Sequence, residues 1–164
     1  MTTVEMRPAT PADAEQLHRF PCSTGPWYEA EVEQQIQGDL AGRVGRGGTS
    51  SLSAFVADDA GEVVAVIACE VEPHPSGGPG TVTRITAGAV RLDRQGSSPD
   101  GTSLSSRILA AAVDQARASG SAGCYAMVAV ANVRVRQAFD RGGFFPGPVP
   151  SDPRYLFYTL TLRA

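Results

Sequence analysis

The sequence predicts an α/β layered fold in which helices cover both faces of a mixed sheet. Strand-like and helix-like segments follow one another as strand, two helices, three strands, helix, strand, helix, strand. One strand-like segment, residues 62–70 (EVVAVIACE), is apolar at both odd and even positions, which is typical of a strand buried on both faces. No repeat and no long linker divides the 164 residues, so we expect a single domain over residues 1–164.

The first elements follow from cap and turn signals. A short strand at residues 4–6 precedes a helix that begins after Thr10, with Pro11 at its first position. The proline-containing residues 21–26 end that helix. A second helix is predicted at residues 27–40, because apolar residues recur there four positions apart.

Three strands are predicted next, after a glycine-rich loop at residues 42–53. The first two, residues 54–58 and 62–70, are joined by Asp-Asp-Ala-Gly, a sequence that indicates a hairpin turn. A loop rich in proline and glycine, residues 72–80, separates them from the third strand at residues 81–92.

The second half of the chain alternates between helix and strand. A helix at residues 101–119 carries an apolar stripe and stops at Gly120, a favourable residue after a helix end. A buried strand at residues 124–130 precedes a short helix at residues 132–141, which two glycines end. The last strand, residues 155–162, alternates between apolar and polar positions, as a half-exposed strand does.

Composition and charge argue against several classes of function. The formal net charge of −3 gives no support for binding to nucleic acid, which requires a basic surface. No apolar stretch is long enough to span a membrane, and the N-terminus lacks the features of a secretory signal, so we expect a cytoplasmic protein. The three cysteines and two histidines do not have metal-binding spacing, and we expect no metal.

The segment between the strand at residues 81–92 and the following helix carries the first chemical signal. It reads VRLDRQGSSPDGTS from Val90 to Ser103. The unpaired amides at a helix N-terminus attract anions, and glycine lets the backbone approach a phosphate closely. Asp100 can instead cap the helix, and Ser-Pro-Asp-Gly is also an ordinary turn sequence. The residues alone leave open a phosphate-binding loop and a plain turn.

A second motif lies in the short helix near the end of the chain. Asn132, the only asparagine, is followed by Phe139 seven residues on and by Gly143 and Phe144 after that. Asn132 suits the cap of a helix under any interpretation. Together with the glycine-containing loop and the order of elements, this spacing resembles the GNAT family of N-acetyltransferases.

The resemblance covers nearly the whole chain and implies a mostly antiparallel sheet and acetyl-CoA as co-substrate. In that family the strand before the loop splays and pairs with the pantetheine arm, while a loop of pattern Gln/Arg-x-x-Gly-x-Gly/Ala holds the pyrophosphate. The sequence departs from the pattern at Ser98, which replaces a glycine, and at Phe139, which replaces the usual tyrosine. The residues that the resemblance assigns to cofactor binding are Ala89, Val90, Arg91, Leu92, Gln95, Gly96, Ser97, Ser98, Gly101, Thr102, Asn132 and Phe139.

The resemblance further implies an acetyl transfer to a primary amine, of a small molecule or a peptide, by direct attack in a ternary complex. Glu70 and Glu72 are candidates for the general base, although a solvated strand end would also explain them. Trp27 and Tyr28 are candidates for substrate contact or for packing. The altered loop and Phe139 leave two alternatives, a non-catalytic acyl-CoA-binding module and a protein-interaction domain. A homodimer is left open.

Overall fold

Seven strands form one sheet in the spatial order β1-β2-β3-β4-β5-β7-β6. The computed structural model describes residues 4–21, 30–45, 52–96 and 103–162. The strands are β1 (Glu5–Pro8), β2 (Leu52–Asp59), β3 (Glu62–Pro73), β4 (Thr81–Val90), β5 (Gly123–Ala129), β6 (Phe145–Pro148) and β7 (Tyr155–Thr161). The helices are α1 (Ala14–Leu17), α2 (Ala30–Gly45), α3 (Leu104–Ala118) and α4 (Val133–Arg141). None of the described helices is long and apolar enough to cross a membrane.

The sheet is mixed because β4 and β5 run parallel, whereas all other neighbouring strands are antiparallel. Strand β3 lies near the middle and is buried on both faces, as its apolar sequence predicts. On one face Val66 belongs to a cluster with Leu17 of α1 and Leu40 of α2. On the other face Ile67 belongs to a larger cluster with Ile108 of α3. The predicted fold class, with helices on both faces of a mixed sheet, is confirmed.

The predicted hairpin between β2 and β3 turns on two residues with positive φ. Ala60 has a φ of 53° and Gly61 a φ of 94°, and the Gly61 amide donates to Asp58 Oδ1 at 2.7 Å. Two consecutive residues of positive φ match the right-handed twist of a hairpin. The turn therefore fixes the register in which β3 enters the centre of the sheet.

Helix α2 is longer than its sequence predicts. It continues to Gly45, so the predicted end at residue 40 and part of the predicted loop at residues 42–53 are wrong. Leu40, Ala41 and Val44 are buried in the contact with the sheet. Each glycine in a helix costs about 1 kcal/mol, whereas full burial of one Leu or Val side chain gives about 1.5–3 kcal/mol, so packing outweighs propensity.

Several strand boundaries and one whole strand also differ from the prediction. β2 begins at Leu52, inside the predicted loop, and β3 continues to Pro73. β4 ends at Val90, where the chain enters a 3-10 turn. Strand β6 was missed because its sequence, FPGP, is rich in turn residues. Proline is tolerated there because β6 lies at the edge of the sheet, where one side of the strand needs no partner.

Candidate active site

Strands β4 and β5 separate after two residue pairs, the second of which joins Arg84 to Tyr125. Beyond this point β4 continues to Val90 against β3, and β5 continues to Ala129 against β7. The two strands thus enclose an opening, here called the wedge, with its vertex at Arg84 and Tyr125 and its mouth at Val90 and Ala129. Strand edges that face such an opening present N–H and C=O groups that an extended ligand can pair with.

A β-bulge accompanies the separation of the strands. Ala68 pairs with Ala87 and Cys69 pairs with Ile85, which leaves Thr86 as an extra residue in β4. The Thr86 hydroxyl donates to the carbonyl of Ala68 at 3.2 Å. Because a bulge bends its strand and increases the local twist, this residue turns the second half of β4 away from β5.

The end of β4 is held by the rest of the sheet and by the first helical layer. Ala89 packs against the cluster of α1 and α2, and Val90 lies in the cluster under α3. The Arg91 amide donates to the carbonyl of Val64 at 2.9 Å, and the Leu92 amide donates to the carbonyl of Pro21 at 2.7 Å. The mouth of the wedge therefore has a rigid wall on the β4 side.

Two arginines follow β4, and carboxylates compensate the charge of both. Arg91 Nε lies 2.7 Å from Asp93 Oδ1, and Arg91 Nη1 lies 3.4 Å from Glu62 Oε2. The Arg91 guanidinium lowers the pKa of the Asp93 carboxyl. Arg94 Nη2 lies 2.6 Å from Asp59 Oδ2. Both side chains thus serve first to brace the turn after β4.

The predicted leading residue of the phosphate loop, Gln95, bridges the mouth of the wedge. Its Nε2 donates to the carbonyl of Val90 at 2.9 Å, and its Oε1 accepts from Arg134 Nη1 at 3.1 Å. Gly96 follows with a φ of 106°, a conformation that favours glycine. The other predicted loop residues, Ser97, Ser98, Gly101 and Thr102, lie outside the described residues.

The second motif lies on the β5 side of the mouth. Asn132 caps α4, because its Oδ1 accepts from the Val135 amide at 3.4 Å. Phe139 is only 6% exposed, and its ring centroid lies 4.9 Å from that of Phe144 and 5.3 Å from that of Tyr158. The motif therefore joins a helix cap at the mouth of the wedge to an aromatic wall in the core.

The predicted base residues lie near the vertex of the wedge, on the face that α1 and α2 partly cover. Glu70 pairs in register with Arg84, which in turn pairs with Tyr125. Their sequence neighbours Cys69, Ile85 and Cys124 belong to the cluster under α3. Because successive side chains of a strand point to opposite faces, the side chains of Glu70, Arg84 and Tyr125 point away from α3. Glu72 lies two residues beyond Glu70 on the same face. The resulting group, called the vertex cluster, consists of Glu70, Glu72, Arg84 and Tyr125.

The two carboxylates of the vertex cluster differ in their partners. Glu72 accepts a hydrogen bond from the Tyr125 hydroxyl and lies 3.7 Å from Arg84 Nη1. Burial, followed by the bond to Glu72, raises the pKa of Tyr125 to about 12. Glu70 is half-buried and forms no hydrogen bond or ion pair of its side chain with the described residues. Glu70 is therefore the carboxylate of the cluster that can accept a proton without first leaving a partner in the described part of the chain.

Arg84, Tyr125 and Arg134 were not assigned to the site from the sequence. Arg84 carried a weak signal, since it is the only charged residue of β4. Nothing in the sequence distinguishes Tyr125 and Arg134 from residues that only pack in the core or face solvent. Trp27 and Tyr28, predicted to contact substrate, lie outside the described residues. No group of His, Cys, Asp or Glu in the described part of the chain could hold a metal ion.

Comparisons with solved structures identify the fold. The chain is similar to the GNAT domain of S. lividans PAT, with 19% identity, a TM-score of 0.68 and coverage of 97% of this chain and 90% of that one. It is similar to PaiA N-acetyltransferase from Thermoplasma acidophilum in complex with coenzyme A, with 12% identity, a TM-score of 0.76 and coverage of 98% and 99%. Arabidopsis thaliana NAA60 in complex with acetyl-CoA gives 17% identity, a TM-score of 0.64 and coverage of 98% and 99%.

No protein-family model and no curated protein matches the sequence. At identities of 12–19% the structural similarity establishes the fold, and the chain has the fold of the GNAT acetyltransferases. The resemblance inferred from the sequence is confirmed at this level.

Proposed function

We propose that the protein is an N-acetyltransferase that moves the acetyl group of acetyl-CoA to a primary amine. The observation that carries this proposal is the wedge between β4 and β5, whose vertex lies beside a carboxylate without a partner among the described side chains. Two of the similar structures are complexes with acetyl-CoA or coenzyme A, which supports the same class of co-substrate here.

The wedge has the length and the chemistry to hold an extended arm with amide groups. The six residues from Arg84 to Ala89 span about 20 Å of strand. The pantetheine arm of acetyl-CoA can lie along this edge with the phosphates of the coenzyme at the mouth, near Gln95 and Asn132. Its thioester then lies toward the vertex, where the acceptor amine arrives from the face that carries the vertex cluster.

In this arrangement Glu70 is the general base. The amine nitrogen attacks the thioester carbonyl, its proton passes to the Glu70 carboxylate directly or through water, and the carbon–sulfur bond breaks to release the thiolate. Tyr125 is a poor acid for that thiolate, because its pKa of about 12 lies well above the value of about 8.5 for an ordinary thiol. Tyr125 and Arg84 instead hold Glu72 beside the acceptor.

The test is the release of free CoA thiol from acetyl-CoA over a panel of primary amines and peptides. For an accepted amine, we expect Glu70→Gln to lower kcat by about 10²–10⁴-fold, the usual contribution of a general base. The matched control Glu5→Gln, at an exposed position at the start of β1, keeps the wild-type kcat.

The same assay separates the proposed enzyme from its alternatives. A protein that binds acetyl-CoA tightly but releases no thiol with any amine would be an acyl-CoA-binding module. A protein whose melting temperature is unchanged by acetyl-CoA and CoA would be an interaction domain, because a ligand specific for the folded state must raise that temperature. Equal kcat values for the wild type and Glu70→Gln would remove Glu70 from the mechanism.

A further inference from the structure

The sheet face that carries the vertex cluster continues from β5 onto β7 and β6. Tyr125 pairs with Thr159 of β7, and Thr159 pairs with Phe145 of β6. Two residues beyond Tyr125, Met127 pairs with Phe157. The residues that alternate with these five belong to the cluster under α3 or pack against it. The five side chains therefore stand on the opposite face, together with the vertex cluster.

Three of these side chains form an apolar surface, here called the shelf, which consists of Met127, Phe145 and Phe157. Met127 is 52% exposed, Phe145 is 76% exposed and Phe157 is half-buried. Phe145 and Phe157 are diagonal neighbours on paired strands, within reach of each other. The Tyr125 ring meets Phe157 edge to face, with centroids 6.3 Å apart, so the shelf begins where the vertex cluster ends.

The strands that form this part of the sheet carry no charged side chain. Residues 123–129, 145–148 and 155–161 contain no Asp, Glu, Lys, Arg or His. An exposed apolar surface beside polar groups is typical of a contact site for a ligand or a partner. A group that covers the shelf gains the free energy of apolar burial, whereas a charged group finds no counter-ion on these strands.

The vertex cluster beside the shelf has one carboxylate in excess. Arg84 Nη1 lies 3.7 Å from Glu72 Oε2, and the Tyr125 hydroxyl donates to Glu72, so the charge of Glu72 is compensated. The Glu70 side chain has no ion pair with any residue that the structure describes. The site therefore presents one uncompensated negative charge next to an uncharged apolar surface.

Strand geometry sets the distance between the two parts of the site. Glu70 pairs with Arg84 of β4, and Arg84 pairs with Tyr125 of β5. Two strand spacings and two residues along β5 place the Cα atoms of Glu70 and Met127 about 12 Å apart. Both side chains are long and stand on one face, so an amine with an apolar group two carbon atoms away can contact both.

We propose that the acceptor is a primary amine with a single positive charge, whose apolar side group lies on the shelf. This inference rests on the proposed function and narrows its acceptor to one class of amine. The charge of the free acceptor complements Glu70, and its apolar group covers Met127 and the two phenylalanines. A carboxylate next to the amine would be repelled by Glu70, and a second ammonium group would lie on the uncharged shelf. A small arylalkylamine and a peptide that begins with a large apolar residue share the required chemistry.

Release of free CoA thiol at saturating acetyl-CoA tests the inference with 2-phenylethylamine, ethylamine, 1,4-diaminobutane, phenylalanine and a neutral peptide amide that begins with phenylalanine. We expect kcat/KM for 2-phenylethylamine to exceed that for ethylamine at least about tenfold, because the open shelf buries part of an aromatic ring. The diamine and the free amino acid should both fall below 2-phenylethylamine. A higher kcat/KM for the peptide amide than for 2-phenylethylamine assigns the acceptor to peptides, and a lower one assigns it to small amines.

Met127→Gln tests the shelf itself. It replaces an exposed apolar side chain with a polar one of similar length, so the fold is retained. We expect the ratio of kcat/KM for 2-phenylethylamine to kcat/KM for ethylamine to fall about fivefold, less than in an enclosed apolar pocket. A merely structural effect would lower both values equally and leave the ratio unchanged.

Two matched variants serve as controls. Met127→Leu keeps an apolar side chain at the same position and should retain most of the ratio. Ala118→Gln makes an apolar-to-polar change at an exposed position at the end of α3, on the other face of the sheet, and should leave the ratio at the wild-type value.

Equal kcat/KM values for 2-phenylethylamine and ethylamine, or a preference for phenylalanine or 1,4-diaminobutane, overturn the inference while the proposed function stands. An unchanged ratio in Met127→Gln overturns it as well, because the preference would then arise away from the shelf. If no amine or peptide releases thiol from acetyl-CoA, the proposed function itself fails, and the inference fails with it.

Discussion

At the scale of single residues, Phe139 determines whether α4 provides a hydroxyl group at the site. Its ring packs on Phe144 and Tyr158 and has no hydroxyl to offer a departing thiolate. The phenol in ring contact with Phe139 is that of Tyr158, which is completely buried and accepts a hydrogen bond from Arg136 Nε at 3.3 Å. Tyr158 is thus part of the core wall behind Phe139, and α4 itself contains no tyrosine that could act as an acid.

A hydroxyl restored at position 139 should speed the reaction. An ordinary thiolate with a pKa of about 8.5 can leave unprotonated, so under the proposed function we expect the wild type to be a slow but real enzyme. A positioned general acid contributes about 10²–10⁴-fold, and we expect Phe139→Tyr to raise kcat at least a few-fold toward that limit. The measurement is kcat on an accepted amine, with acetyl-CoA saturating.

Tyr158→Phe is the matched control for that experiment. It removes the hydroxyl that Arg136 contacts and keeps the ring that packs on Phe139. We expect kcat to stay near the wild-type value. Loss of turnover in Tyr158→Phe with acetyl-CoA affinity intact would instead identify Tyr158 as the acid.

At the scale of elements, an ionic network joins β1, the following turn and β2. Asp13 accepts two bonds of 2.8 Å from Arg7 and one of 2.8 Å from the Thr10 amide. Arg7 also binds Asp58 of β2 at 2.9 Å. The Arg7 bond is the main cause that lowers the pKa of the nearly buried Asp13 carboxyl. The network anchors the start of α1 to the edge of the sheet.

This network predicts how stability depends on pH. A carboxyl whose pKa is lowered in the folded state stabilises that state fully above its unfolded pKa of about 3.9, and the contribution is lost as pH falls through the lower folded pKa. We expect the free energy of unfolding, measured with urea, to fall below about pH 4. Asp13→Asn should lower it by about 1–3 kcal/mol at pH 7, because the Arg7 bonds lose their charged acceptor.

The control is the same measurement of the free energy of unfolding against pH in Asp13→Asn. Without the carboxyl, the free energy of unfolding should fall less steeply below about pH 4 than in the wild type. Parallel curves for the two proteins would mean that other carboxyl groups carry the acid sensitivity.

The sequence predicts elements well where hydrophobic period and turn chemistry agree. The buried pattern of β3, the hairpin at Ala60 and Gly61, and the Asn132 cap of α4 all lie where their local signals place them. Prediction fails where tertiary contacts override local preference. α2 runs through Gly42 because Val44 is buried, and β6 forms from FPGP because the edge position tolerates proline.

The site is less predictable than the fold, because it depends on contacts between distant segments. Glu70 and Glu72 look alike in the sequence, and only distant contacts distinguish them: Glu72 binds Tyr125, 53 residues further on, and Arg84. Similarly, the bulge at Thr86 has no local signal, yet it accompanies the separation of β4 from β5. The bridge from Gln95 to Arg134 spans 39 residues and lies beyond any short motif.

At the scale of the whole molecule, the sheet opens between β4 and β5, and this gap can accept an extended ligand. Only two residue pairs join these strands, whereas β5 and β7 are paired over seven. The vertex cluster lies at one end of the gap and the bridge at the other. Under the proposed function, the arm of the ligand fills the gap and its charged end stays at the mouth.

Amide hydrogen exchange of the wild type with and without saturating acetyl-CoA tests this account most directly. An arm that pairs with the open strand edges should slow exchange in residues 87–90 of β4 and 126–129 of β5. Exchange in β2, which has strands on both sides, should stay unchanged. Unchanged exchange in both β4 and β5 at a concentration of acetyl-CoA that saturates binding by calorimetry would contradict the account.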